Sequence, residues 1–297
     1  MLRYARVRLR CRWEDPGKRI RSPLHWRDDL ERSMQGIACI LRRQRCEECI
    51  VRGRCTYAGL FLGHGAPSEK GSEKYPWLHP FSFVFPAPGG DEERFQVEVT
   101  LVGKWVERLP YWLLALERMG RGRGHPFHVE EGEEWAEGQW ITFYDGEARA
   151  LLRAVEQRAP FPLVLGERVE LRWIRPGRLL REGRPAIPLD FEKIVEAAHR
   201  RAQGLWRWYG EGDVSWDGRR LLRAARDVRL TPLGLRWEER HLYSRRQKQS
   251  VAVGGLMGGM LLEGPLAPFG ELLAMGRDLG VGKGTALGLG RYELCEP

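Results

Sequence analysis

Lysine is scarce in this chain. It occupies seven of 297 positions (18, 70, 74, 104, 193, 248 and 283), so nearly all of the 49 basic side chains are arginine. Against 40 acidic residues they leave a formal charge of +9. Guanidinium is a planar fork of donors that fits phosphate and stacks on bases, so the bias points to a polyanionic partner, although a GC-rich coding sequence gives the same enrichment. Long apolar runs are also missing. No stretch reaches the roughly 18 residues that a membrane span needs, and the opening MLRYARVRLRCRW has no signal-peptide core. The expectation is a cytoplasmic protein with reduced cysteines and no membrane partner. The order Gly-x-x-x-x-Gly-Lys-Ser/Thr opening a long helix is absent as well, which sets nucleotide hydrolysis aside. With 42% hydrophobic and 30% charged residues the chain can bury a normal core, and its length suggests two domains.

Glycine is concentrated near the C-terminus. Residues 280–290 read GVGKGTALGLG, two Gly-x-Gly pairs around Lys283, and run into the strand-like Arg291-Tyr292-Glu293-Leu294. Without a Cβ the chain adopts positive φ and lets another backbone approach. With one cation inside it, the loop suits a polyanion; the alternative is a glycine turn joining two packed elements.

Hydrophobic periodicity outlines the fold. Val7, Leu9, Cys11 and Trp13 share one face of a strand and Arg6, Arg8, Arg10 and Arg12 the other. Arginines in such a row repel one another unless water or anions intervene, so an RNA backbone and a solvated face are both open readings. Trp26, Leu30, Met34, Ile37 and Leu41 predict an amphipathic helix over 26–43 with Arg27, Arg32 and Arg42 on its other face. Strands are predicted in 76–88 and 95–103, and a short helix over 110–119 is stopped by Gly120. A second strand set opens in 161–173, and Phe191, Ile194, Val195, Ala198, Ala202 and Leu205 mark another helix. Strand, helix, strand, strand thus occurs twice, with a weak boundary in the charged stretch 156–162. The fold class expected is α+β with two tandem ferredoxin-like domains, 1–158 and 159–297. Pattern alone leaves other α+β arrangements open.

Three segments together carry a family resemblance: Tyr243-Ser244-Arg245-Arg246-Gln247, Gly254-Gly255-Leu256-Met257-Gly258 and the glycine loop. With 109–124, 169–173 and 191–209, they resemble the CRISPR repeat-RNA processing endoribonucleases of the RAMP superfamily, most strongly over the last sixty or so residues. The resemblance implies two ferredoxin-like halves with the glycine loop facing RNA, and metal-independent cleavage of precursor crRNA by a 2′-hydroxyl. It implies CRISPR repeat RNA as partner, with other effector subunits besides. Pattern and resemblance give an RNA-binding set of Arg6, Arg8, Arg10, Arg27, Arg245, Arg246, Gly280, Gly282, Lys283, Gly288 and Gly290. The catalytic candidates are His25, at the entrance to the first helix, where many relatives place a catalytic group; His64; and Lys283 as a charge stabiliser. Two departures stand out. Gly280 occupies the place where many relatives carry histidine, and Leu242 replaces an arginine. A non-catalytic crRNA-binding subunit of an effector complex is therefore a second implied role.

Cys46-x2-Cys49-x5-Cys55 followed by Tyr57 recurs in relatives of this family, and Cys-x2-Cys in a reducing compartment seats zinc. Cys39 is the preferred fourth ligand and His64 the alternative. Such a zinc would be structural, since a closed tetrahedral site leaves no place for water. Free thiols packed under a long loop are the other reading. No cofactor is expected for catalysis.

Overall fold

The computed structural model describes residues 1–15, 23–41, 44–63, 77–85, 93–122, 126–212, 216–244 and 248–296. Its chain divides into two compact units, one of residues 3–158 with 207–209 and the other of 1–2, 159–206 and 210–297. No helix among the described residues is long and apolar enough to cross a membrane.

The N-terminal unit runs β1 (Tyr4–Trp13), α1 (Pro23–Ala38), β2 (Phe81–Val84), β3 (Arg94–Val102), α2 (Leu109–Gly120), β4 (Phe127–Ala136), β5 (Gln139–Asp145) and β6 (Ala150–Leu151). Its sheet order is β2-β3-β1-β4-β5-β6, every neighbouring pair antiparallel. The first four strands and two helices reproduce the βαββαβ ferredoxin-like order, and β5 and β6 extend the β4 edge. Alternation along β1 buries Val7, Leu9, Cys11 and Trp13. Trp13 stacks on Phe95 with ring centroids 4.2 Å apart and meets Trp26 of α1 at 6.4 Å, so that face carries the core. α1 ends at Ala38, short of the predicted 43. Near its end Gly36 comes against Arg118 of α2, whose guanidinium takes the Gly36 carbonyl at 3.3 Å, and the turn closes with Cys39 N–H on Gln35.

The second unit runs β7 (Arg168–Gly177), two short strands β8 (Leu180–Arg181) and β9 (Arg184–Pro185), α3 (Phe191–Tyr209), α4 (Gly218–Ala224), β10 (Arg229–Glu238), β11 (His241–Ser244), β12 (Gln249–Ala252), β13 (Gly255–Glu263), α5 (Gly270–Leu279) and β14 (Tyr292–Cys295). Strands β10-β13-β7-β14 form an antiparallel sheet, which repeats the ferredoxin-like order with β7 as its first strand. Hairpin β11–β12 is inserted between its second and third strands. All six apolar positions that predict α3 are buried, and Asp190 caps its N-terminus by accepting from Lys193 N–H at 2.8 Å. The α+β class and the tandem ferredoxin-like order agree with the sequence pattern.

Candidate functional site

The glycine loop joins α5 to β14 and lies against the end of β7. Gly280, Gly282, Gly284, Gly288 and Gly290 all have φ between 74° and 89°. A Cβ on Gly290 would stand 2.0 Å from the Val281 carbonyl oxygen, and one on Gly282 would stand 2.6 Å from that of Arg178. Glycine is needed here for the approach of the protein's own backbone. The N–H groups of Gly280, Gly288 and Gly290 donate to Gly276, Thr285 and Pro176. These three amides are spent inside the fold. Buried Arg291 donates to the Asp278 carbonyl at the end of α5, and Tyr292 Oη donates to Leu273 at 2.7 Å. With both ends pinned, the loop presents one cation, the exposed Lys283, and among the described residues no carboxylate pairs with it. Arg245 and Arg246 lie outside the described residues. The hairpin strand before them exposes Tyr243, 61% accessible.

Arg178, immediately after β7, was not legible as a site residue, because no motif surrounds it. One Nη donates to the Gly254 carbonyl at 3.0 Å, and Cζ lies 5.6 Å from the ring centroid of Trp237. Its own carbonyl accepts the Lys283 N–H at 3.1 Å. Both glycine motifs of the C-terminal sequence, 254–258 and 280–290, therefore converge on this arginine.

In the N-terminal unit the arginine row of β1 differs from its sequence reading. Arg6 is paired with Glu98 at 2.9 Å, Arg8 with Glu133 at 2.6 Å, Arg10 with Glu133 at 3.0 Å and Glu131 at 3.6 Å, and Arg12 with Glu93. The partners come from β3, β4 and the approach to β3, so cross-strand register supplies the counter-charge that neither open reading included. Arg8 also lies over the Trp140 ring at 4.2 Å. The hydrogen bond from Arg8 holds the Glu133 carboxyl below its ordinary value, against a smaller opposing effect of burial, with the charges of Arg8 and Arg10 assisting. This sheet face carries a lattice of cross-strand ion pairs.

Arg27 is likewise engaged within the fold. It is 7% exposed, ion-paired with Glu31 one turn on, and its guanidinium sits 5.5 Å from the Phe61 ring centroid; Tyr57 Oη donates to the same Glu31 at 3.2 Å. His25 is half-buried in the first turn of α1. His64 and His125 lie outside the described residues. Of the others, His79 is fixed through Nδ1 to the Leu60 carbonyl at 2.9 Å, and His128 faces Glu14 at 3.9 Å, as His241 faces Glu239 at 3.7 Å. His199 is half-buried against Gly218, and burial lowers its pKa against the opposing effect of Asp217.

Cys39, Cys46, Cys49 and Cys55 are half-exposed free thiols. Burial pushes the Cys46 thiol up, and Cys39, Cys55, Glu47 and Cys49 add to the shift, so the four are electrostatic neighbours. Among the described residues, however, no group of three or more His, Cys, Asp or Glu is arranged to hold a metal ion.

Comparison with known proteins gives two family matches. A model described as the AF_1859_N N-terminal domain matches residues 2–158, and one described as CRISPR-associated endoribonuclease Cas6 matches residues 171–292. No curated protein matches. Among solved structures, the Cas6 (TTHA0078) product complex is 20% identical, with all of both chains covered and a TM-score of 0.51. Thermus thermophilus Cas6 (TTHB231) is 14% identical with 99% of each chain covered and a TM-score of 0.54, and its product complex, at the same identity and coverage, scores 0.56. At these identities the structural likeness establishes a shared fold.

Proposed function

We propose that the chain, whose residues 171–292 match the model of the CRISPR-associated endoribonuclease Cas6, binds CRISPR repeat RNA through its C-terminal unit and cleaves the precursor without a catalytic metal ion to release guide RNA. The observation that carries the reading is Lys283, exposed on a loop whose backbone is fixed from both ends within the part of the chain matched to Cas6.

In this reaction a base takes the proton of a 2′-hydroxyl, and the freed oxygen bonds to the adjacent phosphorus. The bond from phosphorus to the 5′-oxygen breaks, and an acid protonates that oxygen. The products are a 2′,3′-cyclic phosphate and a 5′-hydroxyl. Imidazole gains and loses protons near neutrality, and we assign His25 to one of the two proton transfers, with His64 as the second candidate. Lys283 neutralises phosphate charge along the strand.

The test is single-turnover cleavage, in EDTA, of the RNA repeat from the source organism's own CRISPR array, beside the same RNA with one 2′-deoxy nucleotide at the cut. The proposal predicts cleavage of the native RNA, none of the deoxy RNA, and a rate about 10²–10⁴-fold lower in His25→Ala at little cost in affinity. Cleavage that requires added metal would reject the mechanism. Tight binding without a cut would replace the reading with that of a crRNA-holding effector subunit, and an unaltered rate in His25→Ala would move the proton-transfer role elsewhere.

A further inference from the structure

Several arginines of the C-terminal unit already have carboxylate partners. Arg172 is paired with Glu170, Arg181 with Asp190, Arg236 and Arg240 with Glu238, and Arg277 with Asp278. Arg178 and Lys283 differ. Among the described residues neither is paired with a carboxylate, and the two are joined directly by the hydrogen bond from Lys283 N–H to the Arg178 carbonyl. Guanidinium carries five N–H donors. Arg178 commits one Nη, to Gly254, while the Trp237 ring lies beside it.

The backbone around this arginine is built to close on it. A Cβ at Gly282 would stand 2.6 Å from its carbonyl oxygen, and one at Gly255 would stand 2.9 Å from its nitrogen. Two glycine segments thus bring the loop and the start of β13 against the same residue, and any side chain at either place would push them apart. A half-buried fork of donors with capacity to spare, on a residue whose backbone is bonded to that of the exposed Lys283, fits an oxyanion that can be gripped by two hydrogen bonds and a point charge.

We propose that Arg178 and Lys283 together seat one phosphate group of the bound RNA strand, with Trp237 as the positioning residue that holds the guanidinium in place. This rests on the reading of the glycine loop as the RNA surface and adds to it the residue that the loop is packed around. Trp237 acts through Arg178, so Trp237→Ala weakens the same phosphate contact and has no effect in an Arg178→Ala background.

The experiment measures affinity of the full chain for the organism's repeat RNA across a salt series, with thermal melting of each variant. The expected result is that Arg178→Ala weakens binding about tenfold or more and lowers the slope of log K against log salt by about 0.7, the value for one phosphate contact on a single strand. Arg178→Lys restores the slope and only part of the affinity, because charge returns without the fork. A set of RNAs bearing one methylphosphonate each supplies the second arm. One position costs the wild type clearly more affinity than it costs Arg178→Ala, in which only Lys283 remains to hold that phosphate. Normal affinity and slope in Arg178→Ala, with binding weakened in Lys283→Ala, would overturn this inference and leave the RNA reading intact. Methylphosphonate losses that add fully to Arg178→Ala at every position would overturn it too. Salt-independent or absent RNA binding by the wild type would instead reject the RNA reading. If Arg178→Ala melts early, Arg178→Lys with the methylphosphonate set decides the question by the same criteria.

Discussion

Arg8 and Glu133 show how much a single side chain's meaning depends on its neighbours. On β1 the arginine looks like a free cation; across the sheet it donates through Nε and Nη2 to one carboxylate that is 8% exposed and also receives Arg10. Glu133→Gln is therefore expected to destabilise the N-terminal unit by roughly 1–3 kcal/mol at neutral pH, because it leaves two guanidinium groups facing a neutral amide. The pH dependence has a definite sign. The folded-state pKa of Glu133 is held below its unfolded value, mainly by Arg8. Its contribution is thus fully present above the ordinary carboxylate range and is lost as pH falls through the depressed value. Melting temperatures of wild type and Glu133→Gln should accordingly differ at pH 7 and converge as pH falls below the ordinary carboxylate range, through the depressed value. An equal gap at both pH values would mean that the lost stability comes from packing.

At the scale of elements, the glycine loop is a fitted joint between α5, β7 and β14. Gly282→Ala adds a methyl 2.6 Å from the Arg178 carbonyl oxygen at a residue whose φ is +89°. The expected cost is about 1–3 kcal/mol, together with weaker RNA binding, since the shifted loop carries Lys283 with it. A variant with native melting and native affinity would show that the loop is not held against β7. The elements themselves were legible where a pattern lies within one segment. The buried face of α3 follows from six residues at helical spacing, and the buried face of β1 from strict alternation. Partners at long sequence separation were not legible. Glu98 and Glu133 meet β1 only through sheet register, about 90 and 125 residues away. Arg178 has no motif of its own, and its position becomes evident only when Gly254–Gly255 and Gly282 are seen to close on it. For α1 the periodicity overran the helix, which ends at Ala38, two residues after Gly36, whose carbonyl accepts from Arg118 of another helix.

For the whole molecule, two units with the same βαββαβ order differ in how they use charge. The first neutralises its arginine strand with carboxylates from neighbouring strands. The second keeps Arg178 and Lys283 clear of carboxylates among the described residues, at a loop stiffened from both sides. Net positive charge attracts RNA to either unit, but local pairing decides where a phosphate can be held. The central claim is that the strand lies on the C-terminal glycine loop and its surroundings. Its most direct test is photo-crosslinking of the full chain to repeat RNA carrying 4-thiouridine, with the adducts mapped by mass spectrometry. The account predicts adducts in peptides that contain Arg178, Trp237 to Tyr243 and the 280–290 loop, and their loss in competition with unlabelled repeat RNA. Adducts concentrated on the β1 arginine face, with the glycine loop unmarked, would contradict it.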